Sequence, residues 1–313
     1  MINPKSFFFF LLFINLGAFA EDYPANCQGK FQEVNLCLVD PRISQKIPGF
    51  PAELANCKQT KYDVQTVSTP ESISGIFKEM AKNCKKIRKL KFLGHAYPGY
   101  LGAGDLSLGD IRTYLEPYSF LMVPDAQISL SGCNTGRGCL GRLYMLEMAL
   151  SLLKNGGSIK GPDFYFVSPI PRVIPNFSLT GKMTMLTLKK NPKNSDLEEE
   201  WSYFHQGIQI SSKGKSLRTA CEKEIQELYG NYEKEKTLAF KSGCAIMEIP
   251  GRAGGQLSAE SLFKLFAYLD PKKRQNASPT VKTELNDVYA NALMDFNALE
   301  DLIKSFKACP KTK

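Results

Sequence analysis

Two residues of the 313-residue chain have the side chains and the surroundings that nucleophilic chemistry requires. His95, one of only two histidines, follows a short apolar run, and Cys133 follows a second one. A thiolate is the reactive form of cysteine, and an imidazole accepts and returns a proton near neutral pH. A cysteine and a histidine that meet in the fold would therefore suit acyl transfer through a covalent intermediate.

Small residues surround both candidates. Gly94 and Ala96 flank His95, while Gly132 and Asn134 flank Cys133. Glycine lets a substrate backbone approach closely, and the backbone amide of Cys133 could help to bind a developing oxyanion. We therefore predict that these four neighbours form the oxyanion and substrate loops. On this interpretation Cys133 is the one cysteine of nine that stays outside the disulfides.

Other interpretations of the Cys133 segment stay open at this point. Glycine-rich turns that lead into a helix often bind an anion, or nothing, without carrying a nucleophile. The spacing of Gly132, Gly136 and Gly138 faintly resembles a dinucleotide loop, but the unit is not the first strand of the fold. Cys133 could instead form a disulfide with Cys139, since spacing alone does not decide the pairing.

Alternating strand and helix patterns surround these residues. The pattern predicts strands at 62–67, 87–93, 127–131 and 158–168, and helices at 70–84 and 110–118. A further helix is predicted after Cys133, with apolar positions over 143–153 and an end at Asn155. Such alternation predicts an α/β fold with a mostly parallel sheet sandwiched by helices. Functional sites of such sheets form at the carboxyl ends of the strands, where His95 and Cys133 both lie.

The pattern changes near residue 170. Residues 183–188 suit a strand, whereas residues 217–232, 259–268 and 285–306 have an amphipathic, roughly helical period. We predict four parts: a signal peptide (1–20), an N-terminal disulfide-bearing segment (21–60), an α/β domain (61–170) and a mainly helical C-terminal region (171–313). The last part either packs on the sheet or forms a small second domain.

The N-terminus and the cysteines predict export. Lys5, an apolar run over 7–16 and the ending Ala18-Phe19-Ala20 are typical of a cleaved secretory signal peptide. The run is too short for a comfortable membrane span, so we expect a secreted or periplasmic protein without a stable membrane anchor. All nine cysteines follow the signal, and exported proteins keep disulfides.

Composition limits the partners. Without Lys5, 39 basic and 31 acidic side chains remain, a net charge of +8, but the basic residues are scattered. The chain contains no nucleic-acid motif, no cysteine pair with the spacing of a zinc site, and only two histidines. We therefore expect no nucleic-acid partner, no metal and no cofactor. Sequence alone leaves the oligomeric state undecided.

The order of these features resembles the caspase-like cysteine peptidases, which include gingipains, clostripain and bacterial caspase-like domains. One strand ends in Gly94-His95, a glycine-rich loop follows, and 38 residues after the histidine another strand ends in Gly132-Cys133. The resemblance covers about 62–168, a third of the chain. It implies an endopeptidase that acts on a peptide or protein substrate, with His95 and Cys133 as a catalytic dyad. One position departs from the family, because Ala96 stands where a glycine usually donates its amide to the oxyanion.

Two alternatives to an enzyme remain: a catalytically inactive caspase-like binding module, and an anion-binding scaffold built on the loop from Gly132 to Gly138. Asp163 could favour a basic substrate side chain, although a solvated surface acid is the simpler interpretation. His205 is interpreted as a packed or surface residue, because no strand-end nucleophile accompanies it.

Overall fold

The structure is a computed structural model, which describes Cys27 and residues 29–43, 50–163, 182–190, 197–205, 208–212, 217–242 and 302–308. The predicted signal peptide, Cys244, Cys309 and the predicted helix at 259–268 lie outside the described residues. Within the described part, no helix is both long enough and apolar enough to cross a membrane.

The described chain contains eleven strands: β1 (Gln32–Val39), β2 (Tyr62–Thr66), β3 (Lys85–Leu93), β4 (Ala96–Tyr97), β5 (Tyr100–Leu101), β6 (Leu106–Ser107), β7 (Met122–Ser131), β8 (Gly157–Pro162), β9 (Lys182–Lys190), β10 (Leu197–His205) and β11 (Ile208–Ser212). The helices are α1 (Phe50–Gln59), α2 (Pro70–Lys82), α3 (Leu108–Asp110, one turn), α4 (Gly138–Leu152) and α5 (Leu217–Lys241). Residues 302–308 are also helical and overlap the end of the helix predicted at 285–306, whose earlier residues lie outside the described part. A π-helical turn (Ile111–Leu115) and a 3-10 turn (Glu116–Leu121) continue α3.

Eight of the strands form one sheet in the order β11-β10-β9-β8-β7-β3-β1-β2. The five strands from β8 to β2 are parallel to their neighbours, and β9, β10 and β11 extend the sheet by antiparallel pairing. The predicted fold class, an α/β fold with a large and mostly parallel sheet flanked by helices, is confirmed. The remaining short strands, β4, β5 and β6, form a separate small sheet in the loop after His95.

Helices pack on the central strands, because the strands and the helices bury apolar faces against each other. In β7, Ala126, Ile128 and Leu130 alternate along one face of the strand and are buried. These three residues belong to one hydrophobic core, which also contains the buried face of α2 and residues of the turns after α3. Helix α4 contributes to the same core and is buried along almost its whole length. A smaller cluster on α1 joins Phe50 and Cys57 to Cys37, Val39 and Leu93.

Local sequence explains where α2 begins. Thr69 has an extended backbone, and its hydroxyl accepts a hydrogen bond of 3.3 Å from the amide of Ser72. Pro70 occupies the first helical position, where its missing amide hydrogen costs nothing. Ile73, Phe77 and Met80 then recur at helical spacing and are buried. The helix therefore starts at the residue that the sequence pattern indicates.

Two elements of the N-terminal segment were not predicted. Strand β1 lies between β3 and the edge strand β2, in the parallel part of the sheet, and α1 packs on the same strands. The boundary predicted at residue 60 thus falls between elements that contribute to one sheet. On the C-terminal side, β9 agrees with the strand predicted at 183–188, whereas β10 and β11 are additional strands.

Candidate functional site

The carboxyl ends of β3 and β7 bring the two predicted segments together. These strands pair in parallel up to Leu93 opposite Ser131, and the Gly94 amide donates to the Ser131 carbonyl at 3.3 Å. A Cβ on Gly132 would lie 2.8 Å from the Gly94 carbonyl oxygen and closer still to the Cβ of Ala96. The residues that flank His95 therefore touch the residue that precedes Cys133, with no room for a side chain between them.

The Ala96 amide faces this contact. In the β4–β5 pair, the Gly102 amide donates to the His95 carbonyl at 2.7 Å, so the amide of Ala96 points away from β5. A Cβ on Gly132 would lie 3.5 Å from the Ala96 nitrogen, which places this amide on the side of the Cys133 loop. Ala96 can thus present its amide to the site.

His95 is an exposed residue with one aromatic neighbour. The ring of Phe50 lies 6.0 Å from the imidazole, centroid to centroid, at an interplanar angle of 54°. Phe50 is the first residue of α1 and is 2% exposed, so it forms a fixed wall on one side of the imidazole. This neighbour was missed by sequence analysis because α1 itself was not predicted.

A buried carboxylate braces the loop after His95. Asp40 follows β1 and is 0% exposed, and it accepts hydrogen bonds from the Arg42 backbone amide and Nε, both at 2.9 Å. Arg42 also donates to the Gly102 carbonyl at 2.9 Å and pairs with Asp105 at 3.3 Å. These contacts raise the pKa of the guanidinium, chiefly through its hydrogen bond to Asp40. The cluster ties β1 to the glycine-rich loop.

Cys133 is half-buried and belongs to neither of the disulfides among the described residues, Cys27–Cys84 and Cys139–Cys221. Because Cys139 pairs with Cys221, the alternative disulfide between Cys133 and Cys139 is excluded. The pairing could not be read from spacing, since 82 residues separate the two partners.

Asn134 has a left-handed backbone with φ of 54° and is 2% exposed. Its Oδ1 is buried without a hydrogen-bond partner among the described residues. Left-handed backbone is tolerated by asparagine better than by most residues, which explains the residue type at this tight turn. The turn thus places a buried acceptor directly after Cys133.

The start of α4 is occupied by a carboxylate of the chain itself. Glu224 of α5 accepts a hydrogen bond of 3.0 Å from the Cys139 amide and also pairs with Arg142. Helix N-termini attract negative charge because their first amides lack partners within the helix. Here Glu224 already fills that role, and the adjacent Cys139–Cys221 disulfide holds α5 in place. This occupation argues against an anion site at the start of α4.

Asp163 follows β8 and lies beside the Cys133 loop. Its carboxylate accepts a hydrogen bond of 2.7 Å from Thr184 Oγ1, and a Cβ on Gly136 would lie 3.0 Å from the same oxygen. Burial raises the pKa of Asp163 to about 6, against the smaller opposing effects of Thr184 and Arg142. Asp163 is therefore half-buried, which differs from the fully solvated surface acid that the sequence suggested. Sequence analysis missed its burial because Thr184 belongs to β9, far along the chain.

His205 lies at the end of β10 and pairs with Lys182 of β9. Strands β8 and β9 separate β10 from β7, so the backbone of His205 is remote from the strand that ends before Cys133. Among the described residues, no group of three or more histidine, cysteine or acidic side chains is arranged to hold a metal ion.

The chain matches no protein-family model, no curated protein and no solved structure.

Proposed function

We propose that the protein is an exported cysteine endopeptidase in which His95 and Cys133 act as a dyad. The observation that carries this proposal is the contact between the two glycine-tipped strand ends, Gly94-His95 and Gly132-Cys133. The fold class is consistent with a caspase-like fold, and the two disulfides are typical of exported proteins.

In the proposed reaction, His95 accepts the thiol proton of Cys133, and the resulting thiolate attacks the carbonyl carbon of a peptide bond. The C–N bond breaks, and His95 returns the proton to the departing amine. Water then hydrolyses the thioester, with His95 accepting one of its protons, and Cys133 recovers its thiol. The dyad needs no cofactor for these steps.

The amides of Cys133 and Ala96 are the proposed donors to the oxyanion. They belong to adjacent loops whose contact through Gly132 leaves little freedom, and a preorganised pair of donors stabilises developing charge. Gly94 and Gly132 supply the close backbone packing, while Asn134 offers its buried Oδ1 as an additional acceptor beside the nucleophile.

A mixed peptide library tests the proposal. The mature protein should hydrolyse some members, and Cys133→Ala and His95→Ala should each reduce the rate by roughly a thousandfold or more. Because the two residues act as one unit, the double variant should be little slower than either single variant. His205→Ala is the matched control and should keep the wild-type rate. Hydrolysis by Cys133→Ala at the wild-type rate would contradict the proposal.

A catalytically inactive binding module is the second candidate. It is favoured by the exposure of His95 and by the stacked pair Tyr97 and Tyr100 in the loop after it, whose ring centroids lie 4.6 Å apart. Stable binding of library peptides by wild-type protein, without hydrolysis and without dependence on Cys133, would favour this candidate. The anion-binding scaffold loses support because Glu224 occupies the start of α4.

A further inference from the structure

Cys37 and Cys57 face each other under α1, away from the proposed dyad. Cys37 lies on β1 and Cys57 on α1, and they are 0% and 1% exposed. Their sulfur atoms are 2.7 Å apart. Non-bonded carbon atoms settle at roughly 3.5–4.0 Å, and sulfur is larger, whereas a covalent S–S bond measures about 2.05 Å. The separation is therefore closer to a bond than to a packing contact.

The surroundings of the pair favour a thiolate on Cys57. The hydrogen bond from the Cys37 thiol lowers the pKa of Cys57, and the charge of the Lys91 ammonium lowers it further, against the opposing effect of burial. The same hydrogen bond, together with burial, raises the pKa of Cys37. Lys91 is itself held beside the pair by Glu53 of α1. A thiolate next to a thiol is the arrangement from which disulfides form.

We propose that Cys37 and Cys57 form a third disulfide, which ties α1 covalently to β1, the strand beside the edge strand β2. The oxidant is a disulfide-bearing molecule, such as a thiol oxidoreductase or oxidised glutathione. The Cys57 thiolate attacks one sulfur of that disulfide and releases a thiolate, which leaves a mixed disulfide. The Cys37 sulfur then attacks Sγ of Cys57 and expels the second thiolate. The oxidant gains two electrons and the two thiol protons.

The bridge has a structural consequence at the edge of the sheet. Helix α1 packs on the sheet through a small cluster and the ion pair between Glu53 and Lys91, and its first residue is Phe50, the aromatic neighbour of His95. A covalent link at Cys57, in the second half of α1, fixes the helix and thereby the position of Phe50. Because Cys57 is buried when α1 is docked, the oxidant reaches its thiolate when α1 opens transiently, and redocking of α1 then brings Cys37 to the mixed disulfide.

Peptide mapping tests the pairing, since trypsin places each of the nine cysteines on a separate peptide. The full mature chain is refolded in a glutathione redox buffer until the Cys139–Cys221 control peptides, 138–142 and 219–223, are crosslinked. It is then denatured, alkylated without reduction and digested. The expected result is a crosslink between peptides 31–42 and 47–58 that disappears on reduction. Alkylation of Cys37 and Cys57 before reduction, or a crosslink of either to another peptide, would overturn the proposal.

Stability provides a second, independent readout. Cys37→Ala and Cys57→Ala each remove the same bridge, so each should lower the Tm by roughly 5–10 °C. The double variant should then lie close to either single variant. Losses that simply add would contradict a shared bridge. Neither readout depends on peptide hydrolysis, so the proposed function and this pairing can fail separately.

Discussion

The two loops that carry the candidate dyad are held in place by different physical means. The loop after β3 is braced by charge and by side chains: Arg42 joins the buried Asp40 to Gly102 and Asp105, and Tyr97 stacks on Tyr100. The loop after β7 is braced by close backbone packing. The Gly136 amide donates to the Pro162 carbonyl at 2.9 Å, and a Cβ on Gly161 would lie 2.7 Å from Thr135 Oγ1.

This difference indicates how each loop fails. The Cys133 loop is sensitive to size at its glycine contacts, because a Cβ on Gly132, Gly136 or Gly161 would lie closer than 3.0 Å to neighbouring atoms. The His95 loop is closely packed as well, since a Cβ on Gly102 would collide with Asp40. It depends in addition on one guanidinium, which is half-exposed and neutralises a fully buried carboxylate. Changes of volume should therefore act on both loops, and changes of charge mainly on the His95 side.

Gly132→Val should have the largest effect. Its side chain would collide with Ala96 and the Gly94 carbonyl, forcing the two strand ends apart. We expect loss of peptide hydrolysis and a decrease in the free energy of unfolding by about 2–3 kcal/mol, measured by urea denaturation. Gly75→Ala is the matched control, because nothing lies within 4 Å of a Cβ there and the helix should gain slightly. A folded, active Gly132→Val variant would contradict the contact.

Arg42→Ala should destabilise the His95 side by roughly 2 kcal/mol, since it leaves the Asp40 carboxylate buried without its cation. Arg88→Ala removes a comparable ion pair, with Glu33, in which both side chains are exposed. That control should cost about 0.5 kcal/mol or less. Equal losses in the two variants, measured by urea denaturation, would mean that the burial of Asp40 does not govern the bracing.

Asp163→Asn should flatten the pH dependence of stability. The pKa of Asp163 is about 6 when folded and 3.8 ordinarily, so the folded protein binds the proton more tightly. Stability contributed by the protonated acid is therefore lost as the pH rises between these values. We expect the free energy of unfolding of wild type, relative to Asp163→Asn, to fall by up to about 2 kcal/mol from acidic to neutral pH. Parallel pH profiles would contradict the burial of this carboxyl group.

Glu224→Gln should have the smallest effect, a loss of about 1 kcal/mol, because it removes the negative charge at the start of α4 and weakens the pair with Arg142. Glu227→Gln is the control, since Glu227 is exposed and pairs with Lys223 within α5. The readout is thermal unfolding with and without phosphate, and phosphate should raise the Tm of Glu224→Gln more than that of wild type. If phosphate stabilised both proteins equally, Glu224 would not be the group that occupies the start of α4.

Much of the framework could be predicted from the sequence, because it depends on local patterns. The apolar runs before His95 and Cys133 are strands β3 and β7, and Pro70 marks the start of α2. Strand β1 was missed, although its run Leu36-Cys37-Leu38-Val39 is apolar and ends at Asp40. Because the carboxyl ends of parallel strands lie at one edge of a sheet, this run indicates that Asp40 lies at the same edge as His95.

The supports of the site could not be predicted, because they join residues that are distant in the chain. Arg42 reaches Gly102 across 60 positions, and Glu224 reaches Cys139 across 85. Neither contact has a periodicity or a motif that a single sequence would reveal. The burial of Asp163 likewise depends on β9, which turns antiparallel against β8. Sequence thus indicated where the candidate residues lie, and the structure was needed to find what holds them.

The central claim is that His95 draws the proton from Cys133, and the alkylation rate of Cys133 tests it most directly. Native, unreduced protein is treated with iodoacetamide at about pH 6.5, and labelling of tryptic peptide 113–137 is followed by mass spectrometry. We predict that Cys133 reacts roughly tenfold faster in wild type than in His95→Ala, whereas His205→Ala matches wild type. Equal rates in wild type and His95→Ala, or no labelling of Cys133 before reduction, would contradict the dyad.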